Sequence, residues 1–312
     1  MHFPVAGIDL NPLIPPAVAF AISFFTSMGG VSGAFLLLPF QVSVLGFDSP
    51  AVSATNHLFN VVAIPGGVWR YSREGRMVWP LTWIIIIGTL PGVLVGALLR
   101  VHVLTDPRDF KVFVGVVLLY LGGKLALDLV GKRGADRGQA IAEEQFHRAI
   151  GSKGRPAPCA SPRVVVRRFD AFRLVYEFCD QTFDLRVPRL MLLSLAVGVI
   201  GGIYGIGGGA IIAPFLVTFF GIPVYVAAGA ALMGTLVTSA AGVGFFQLLA
   251  RSHEGVAVSP DWVLGLLFGI GGMAGMYFGA RLQKYVPARA VKAVLTACIL
   301  ALAVSYIGAF SR

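Results

Sequence analysis

The chain has 312 residues, of which 56% are hydrophobic and only 13% are charged. Soluble domains carry about 25% charged residues, so this composition excludes an ordinary soluble globular protein and indicates an integral membrane protein. The formal net charge of +10 is better explained by positively charged cytoplasmic loops than by binding to nucleic acid.

The apolar runs of the first half lack the strict alternation of barrel strands, so they predict helices. Residues 12–29 and 33–46 form two short pieces on either side of a glycine break, and a pair of prolines shortens the first piece. Apolar pieces of 10–14 residues are more often re-entrant than spanning. Longer helices are predicted at residues 50–70, 78–99 and 110–130.

The middle of the chain, residues 131–187, has a different composition. It holds eleven Lys or Arg and seven Asp or Glu. Two stretches within it, residues 163–169 and 172–178, have the pattern of short strands. We expect a small soluble insert or a partly ordered linker that joins two membrane halves on the cytoplasmic side.

The second half repeats the order of the first. Two short pieces, residues 189–205 and 209–221, again flank a glycine cluster, and helices are predicted at residues 224–250, 261–281 and 290–310. Residues 191–250 contain no charged side chain, as expected for segments inside a bilayer.

The two halves align at the glycine clusters. Laying Pro39 on Pro214 also places Gly33 on Gly208 and Phe40 on Phe215. The chain therefore contains an internal repeat with five segments in each copy. The predicted domains are a first membrane repeat at 12–130, the insert at 131–187 and a second membrane repeat at 188–310.

The distribution of basic residues separates two topologies. If each pair of short pieces enters and leaves by the same face, each half has an odd number of segments and the halves are inverted. The basic loops 70–77 and 281–292 and the insert then share the cytoplasm, as the positive-inside rule requires. We therefore predict an all-α polytopic membrane protein. It has two inverted repeats of about five helical segments each, with discontinuous or re-entrant short helices at the glycine breaks.

The glycine breaks are the first candidate site. Breaks at matching places in two halves of a membrane protein indicate a transporter's binding site. The helices that follow them would point free N–H groups at a shared pocket, and a helix N-terminus attracts anions. Tight packing through small residues is the alternative. The candidate residues are Gly30, Ser32, Gly33 and Ala34 in the first break and Gly207, Gly208 and Gly209 in the second.

Polar residues in the following helices are the second candidate. Asn56 and Asn60 share a helix face, and His57 lies on a neighbouring stripe. Such groups usually face the bundle interior or a wet cavity, so substrate contact and interhelical hydrogen bonding both remain open. The second half carries Thr235 and then Ser239 in this region. His57 could also couple transport to protons, although a lone membrane histidine is more often structural.

Catalytic motifs are not found in the membrane part of the sequence. It contains no HExxH, no paired intramembrane aspartates and no Gly-x-Ser-x-Gly turn, and the cysteines lack metal-ligand spacing. We therefore expect no enzymatic activity, no metal and no cofactor.

The doubled pattern of glycine cluster, apolar run and Pro-Phe, here Pro39-Phe40 and Pro214-Phe215, resembles the TauE/SafE family of membrane permeases. The resemblance covers both membrane halves. It implies transport of small anions, chiefly sulfur-containing ones such as sulfite, sulfonates or sulfoacetate, across the bacterial inner membrane.

The sequence departs from that family's pattern at four positions. Ser32 and Ala34 stand where glycines are typical of the family. Asn56 and His57 stand where Thr or Ser followed by Leu would be expected. These departures lie at the candidate site, so they bear on which anion is carried.

The expected function is secondary transport of a small anion by alternating access, since no P-loop is present to use ATP. The lipid bilayer is the surrounding partner and no nucleic acid is expected. Coupling to protons or sodium and assembly into a homo-oligomer are left open. Two alternatives remain: an anion channel with the same site, and a membrane scaffold whose cytoplasmic insert is the working part.

Overall fold

The computed structural model describes residues 1–28, 31–130, 141–142, 144–145, 164–252 and 256–286, with scattered positions between 290 and 304. Gly30 and most of the last predicted helix, 290–310, lie outside the described residues. All further statements about the structure concern the described part of the chain.

The first half begins with a small antiparallel hairpin of two strands, β1 (His2–Phe3) and β2 (Ile8–Asp9). The helices that follow are α1 (Ile14–Met28), α2 (Ala34–Ser43), α3 (Ala51–Arg73), α4 (Trp79–His102) and α5 (Pro107–Val130). Each agrees with a predicted helix to within a few residues at its ends.

Part of the insert forms a three-stranded antiparallel sheet in the order β3 (Val165–Phe169), β4 (Arg173–Phe178) and β5 (Gln181–Arg186). The first two strands are confirmed, and the third was not predicted. The second half then continues with α6 (Val187–Tyr204), α7 (Gly208–Phe220), α8 (Val224–Ala250), α9 (Trp262–Leu282) and a short 3₁₀ helix (Gln283–Tyr285).

Four of the described helices are long and apolar enough to cross a membrane, namely α4, α6, α8 and α9. Helices α1 and α2 are apolar but shorter, as predicted for the pieces before and after the first break. Helices α3 and α5 have 23 and 24 residues but are more polar than these four. The chain is thus a largely helical membrane protein.

Glycine ends α6 because the chain there adopts left-handed backbone angles. Gly205 has φ of 79° and Gly207 has φ of 74°, a region that costs little only for glycine. The amides of Gly205 and Ile206 both donate to the carbonyl of Gly201, at 2.9 and 3.0 Å. These two hydrogen bonds cap the carboxyl end of the helix. The chain can then restart as α7 in a new direction.

The first helix of each half packs against a glycine stripe on the fourth helix of the other half. A methyl group built on any of these glycines would collide with a facing backbone carbonyl or contact it closely, so the helix backbones lie in direct contact. On α9, Gly271, Gly275 and Gly279 face the carbonyls of Pro16, Phe20 and Phe24. On α4, Gly88, Gly92 and Gly96 face those of Met191, Leu195 and Val199.

These two contacts are copies of each other. The three facing residues on α1 correspond in order to the three on α6. Each pair is separated by the same number of residues as Pro39 and Pro214. The three glycines on α4 likewise correspond in order to the three on α9. Their separation is the same for all three pairs and slightly longer than that of Pro39 and Pro214. The internal repeat is therefore reproduced residue by residue at the α1–α9 and α4–α6 interfaces.

One end of the bundle, here called the amino-terminal end, gathers the hairpin and the starts of α3 and α9. The Asp261 carboxylate caps α9 by accepting from Leu264 N at 3.0 Å, and its second oxygen accepts from Ala6 N at 3.3 Å. The amide of Ala51 donates to the carbonyl of Ala257 at 2.9 Å.

The opposite end, here called the insert end, gathers the ends of α3 and α9 with the start of the described sheet. Tyr71 donates to Gln283 Oε1 at 2.9 Å, and Gln283 donates to the carbonyl of Met28 at 2.8 Å. The amide of Val164 donates to the carbonyl of Gly75 at 3.2 Å. The break after α1 is thus held from the insert end.

We predict that Gly275→Ala destabilises the protein by about 1–3 kcal/mol, because the added methyl group must push α1 away from α9. Gly244→Ala is the matched control, since that glycine also lies in a helix but nothing lies within 4 Å of an added methyl group. There the higher helix propensity of alanine should be neutral or stabilising by up to about 1 kcal/mol. Thermal unfolding in detergent measures both, and equal midpoints would contradict the close-packing interpretation.

Candidate functional site

A single amide side chain joins the two glycine breaks. Asn60, on α3, accepts a hydrogen bond from the Ser32 hydroxyl in the first break. Its Nδ2 donates to the carbonyl of Ile206 in the second break at 2.9 Å and to Ser239 Oγ on α8 at 3.1 Å. Ser32, Asn60 and Ser239 are all 0% exposed, so this link lies inside the protein.

The first break is fixed to α3 by further polar contacts. Ser32 Oγ accepts from the amide of Ala34 at 3.2 Å, and Asn56 Nδ2 donates to the carbonyl of Ala34 at 3.0 Å. Gln41 donates to Asn56 Oδ1 at 3.4 Å. Gly33 has no room for a side chain, because a methyl group there would meet the Ser23 hydroxyl and the ring of Phe59.

The second break is fixed to α8 in a similar way. The amide of Gly208 donates to Thr238 Oγ1 at 3.2 Å. Methyl groups built on Gly207 and Gly209 would lie 2.7 Å from Ser239 Oγ and 2.6 Å from Thr235 Oγ1, respectively. The glycines thus let the turn approach α8 closely enough for its backbone to face the hydroxyls of that helix.

His57 extends the network on the side of α8. Its Nδ1 lies 3.2 Å from Ser239 Oγ, and its ring faces Phe246 with centroids 5.9 Å apart. A methyl group on Gly242 would lie 2.8 Å from the imidazole. Its other nitrogen, Nε2, is buried and has no hydrogen-bond partner among the described residues.

The internal repeat places a leucine at the position that corresponds to His57. In the alignment that lays Pro39 on Pro214, His57 falls on Leu232 and Gly67 falls on Gly242. Leu232 packs on Gly67 just as His57 packs on Gly242. The imidazole therefore fills the place of an aliphatic side chain and adds a polar group to one half only, which makes the network asymmetric.

The candidate site carries no charged side chain and is fully enclosed. Its polar side chains, Asn56, His57, Asn60, Ser32, Thr235 and Ser239, are each 0% exposed. Two backbone amides that were predicted to be free, those of Ala34 and Gly208, instead donate to the hydroxyls of Ser32 and Thr238. A buried N–H needs an acceptor, and in this conformation the hydroxyls supply it.

Several polar residues of this region were not among the predicted site residues. Gln41 and Thr238 bond to the network directly, whereas Ser53 Oγ donates to the carbonyl of Ile203 at 3.2 Å. The Tyr204 hydroxyl donates to the carbonyl of Phe35 at 3.0 Å, and the two rings stack. Each is a polar group inside an apolar helix, which is the signal that identified Asn56 and Asn60.

The part of the chain that the structure describes contains no group of three His, Cys, Asp or Glu side chains able to hold a metal ion. The donors and acceptors at the breaks are amides, hydroxyls, carbonyls and one imidazole. Amides, hydroxyls and carbonyls hydrogen-bond neutral or anionic solutes and attract a bare divalent cation less than carboxylates do, and one imidazole supplies only a single metal ligand.

The sequence matches one family of known proteins over most of its length. The model of the family described as Sulfite exporter TauE/SafE matches residues 16–306. The chain belongs to the TauE/SafE family. A curated relative, the probable membrane transporter protein YdhB of Bacillus subtilis (strain 168), is 33% identical over 101 residues.

The match to YdhB covers 32% of this chain and 37% of the relative, so the chain spans little more than a third of that protein's length in the alignment. No solved structure matches the chain. The TauE/SafE match, by contrast, includes both glycine breaks and all the helices that carry the site. The description of the family names an exporter.

We predict that Asn60→Leu destabilises this TauE/SafE protein by about 1–3 kcal/mol, because the Ser32 hydroxyl and the Ile206 carbonyl lose a buried partner. Ser194→Ala is the control. Its hydroxyl is also buried in a helix, but it has no hydrogen-bond partner among the described residues, so its removal should change little. Thermal unfolding of the two variants in detergent tests the difference, and similar losses in both would contradict the bridging role of Asn60.

Proposed function

We propose that this protein is a secondary transporter that carries a small oxyanion across the inner membrane by alternating access. The observation that supports this most directly is the buried, uncharged centre at which Asn60 contacts both glycine breaks. Two interrupted helices that meet at a polar point suit the binding of a small solute far from either surface.

The proposal includes an inverted relation between the two halves. The matched glycine stripes on α4 and α9 support it, because each receives the first helix of the other half at equivalent residues. Contacts at the two ends also support it. Helix α6 follows the sheet directly at the insert end, whereas α1 follows the β1–β2 hairpin at the amino-terminal end.

Charge supports the orientation. In the proposed topology the insert, 131–187, lies in the cytoplasm, together with the basic loop that follows α3. Arg70, in the last turn of α3, and Arg76, in that loop, pair with Glu74 at 2.6 and 2.5 Å. Basic residues concentrate on the cytoplasmic side of inner-membrane proteins.

The binding mode follows from the hydroxyls of Ser32 and Thr238. Each accepts from a backbone amide at the start of α2 or α7 in this conformation. A hydroxyl can donate as well as accept. An incoming oxyanion would therefore take over the two amides, Ala34 N and Gly208 N, while the hydroxyls turn and donate to the anion. Asn60 would add its Nδ2 donors.

An enclosed site favours a carrier over a channel. An open channel needs a continuous wet path, whereas the polar side chains at this centre are 0% exposed. The insert end is also closed at the first break, since Arg76 and Tyr71 both donate to Gln283, which in turn holds the carbonyl of Met28. Opening would require this cluster to separate.

The substrate class rests on family membership. The family description names a sulfite exporter, so sulfite and related sulfur oxyanions are the first candidates. Sulfite, sulfonates and sulfoacetate share three or more acceptor oxygens, which suits a site made of N–H and O–H donors. The proposed activity is transport, and no catalytic step is part of it.

We predict saturable counterflow of radiolabelled sulfite, sulfoacetate or thiosulfate in proteoliposomes, and a loss of at least about tenfold in Gly208→Leu. The added side chain would collide with Thr89 and push the glycine turn away from α8. Thr238→Val is a milder test, because it keeps the shape and removes the hydroxyl that contacts Gly208 N. A loss of about tenfold is expected for it as well.

Gly244→Leu serves as the control, since nothing lies within 4 Å of a methyl group there, and it should transport like the unchanged protein. Circular dichroism and elution as a single peak verify folding of each variant. Equal flux through Thr238→Val and the unchanged protein would contradict the proposed site. Turnover far above carrier rates would favour the channel instead.

A further inference from the structure

An open cleft of about 460 Å³ lies where the soluble sheet meets the membrane bundle. Strand β5 ends at Arg186 and α6 begins at the next residue, so no loop separates the sheet from the helix. The junction borders one side of the cleft, and the end of α7, with Phe219 and Phe220, borders the other. The cleft is therefore placed at the boundary between water and lipid.

The polar wall of the cleft is positively charged. Arg186 and Arg189 line it and are exposed. Neither has an ion-pair partner among the described residues. The acidic residue of the lining, Asp184, is already paired with Arg173 at 3.4 Å. Two guanidinium groups are thus left to bind an anion.

The rest of the lining is apolar. Phe219 is 63% exposed and stacks on Phe215 with centroids 5.7 Å apart, and Leu193 is partly buried beside the cleft. Lys124, on α5, holds its ammonium 3.0 Å from the centroid of the Phe219 ring. Apolar side chains that are exposed at the edge of a membrane bundle face acyl chains rather than water.

We propose that this cleft binds a phospholipid with an anionic headgroup. Guanidinium groups contact phosphate through two parallel hydrogen bonds each, and the apolar wall formed by Leu193 and Phe219 accommodates the start of an acyl chain. A soluble anion would satisfy the arginines but leave this wall uncovered. A zwitterionic lipid would cover the wall and offer a phosphate, but its ammonium group would add a third positive charge beside the two arginines.

The position of the cleft gives such a lipid a structural role. It would contact the start of α6 and the end of α7. These are the two ends of the hairpin that α6 and α7 form around the second glycine break. Binding would therefore hold the base of that hairpin together. The cleft lies at the edge of the bundle and would bind the lipid whichever solute is transported.

The test uses the full-length protein in a neutral detergent. Its thermal unfolding midpoint is measured against dioctanoyl phosphatidylglycerol and against dioctanoyl phosphatidylcholine, which differ in headgroup charge but share their acyl chains. We expect a saturable rise with phosphatidylglycerol only. The double variant Arg186→Gln, Arg189→Gln should weaken the apparent affinity by at least about tenfold, because two charge-assisted contacts are lost.

Arg281→Gln is the matched control. It removes an exposed arginine near the same end of the bundle that does not line the cleft, and it should leave the affinity unchanged. If the double variant fails to elute as a single peak, Arg189→Gln alone replaces it, with the same direction of effect.

Three results would overturn the proposal. They are equal stabilisation by the two lipids, an unchanged affinity in the arginine variant, and a comparable loss of affinity in Arg281→Gln. Glycerophosphoglycerol and inorganic phosphate, added alone, distinguish a lipid site from a site for a soluble anion. Stabilisation by either at the concentration that suffices for the lipid would show that the acyl chains contribute nothing.

Discussion

The hydrogen bonds of Asn60 are the contact on which the centre of the molecule depends. Broken helices expose backbone groups that lipid cannot satisfy, so two breaks inside one bundle need polar partners supplied by the protein. The Asn60 side chain meets this need directly at the second break, where it donates to the carbonyl of Ile206. At the first break it accepts from the Ser32 hydroxyl, which in turn accepts from the amide of Ala34. The rest of the network, from Gln41 to Ser239, extends outward from that amide.

Much of the helical architecture follows from apolar runs, glycines and prolines alone. Both breaks were predicted at their glycine clusters, and in the second cluster Gly205 and Gly207 adopt backbone angles that other residues avoid. Strand β5 was missed, because its alternation of buried and exposed residues is short and merges with the start of α6. The glycine stripes of α4 and α9 are visible in the sequence, but the helix that each of them meets depends on the tertiary fold.

The candidate site was predicted in part. Asn56, His57 and Asn60 were identified because polar groups are costly in a membrane helix and usually face the bundle interior or a wet cavity. Their bonding could not be predicted, since it depends on how far the glycine turns approach α3 and α8. Thr238 is an example: its hydroxyl also bonds to the carbonyl of Gly234 in its own helix at 2.7 Å. Sequence alone gives no reason to prefer the amide of Gly208 as a second partner.

The glycine stripes have a mechanical consequence. The backbone of α1 lies directly on that of α9, and the backbone of α6 lies directly on that of α4. The first helix of each half is therefore closer to a helix of the opposite half than packing through larger side chains would allow. A movement of α1 must therefore move α9 as well, and a movement of α6 must move α4. The closely joined units of the bundle are therefore not the two repeats of the sequence, but two composites, each assembled from helices of both.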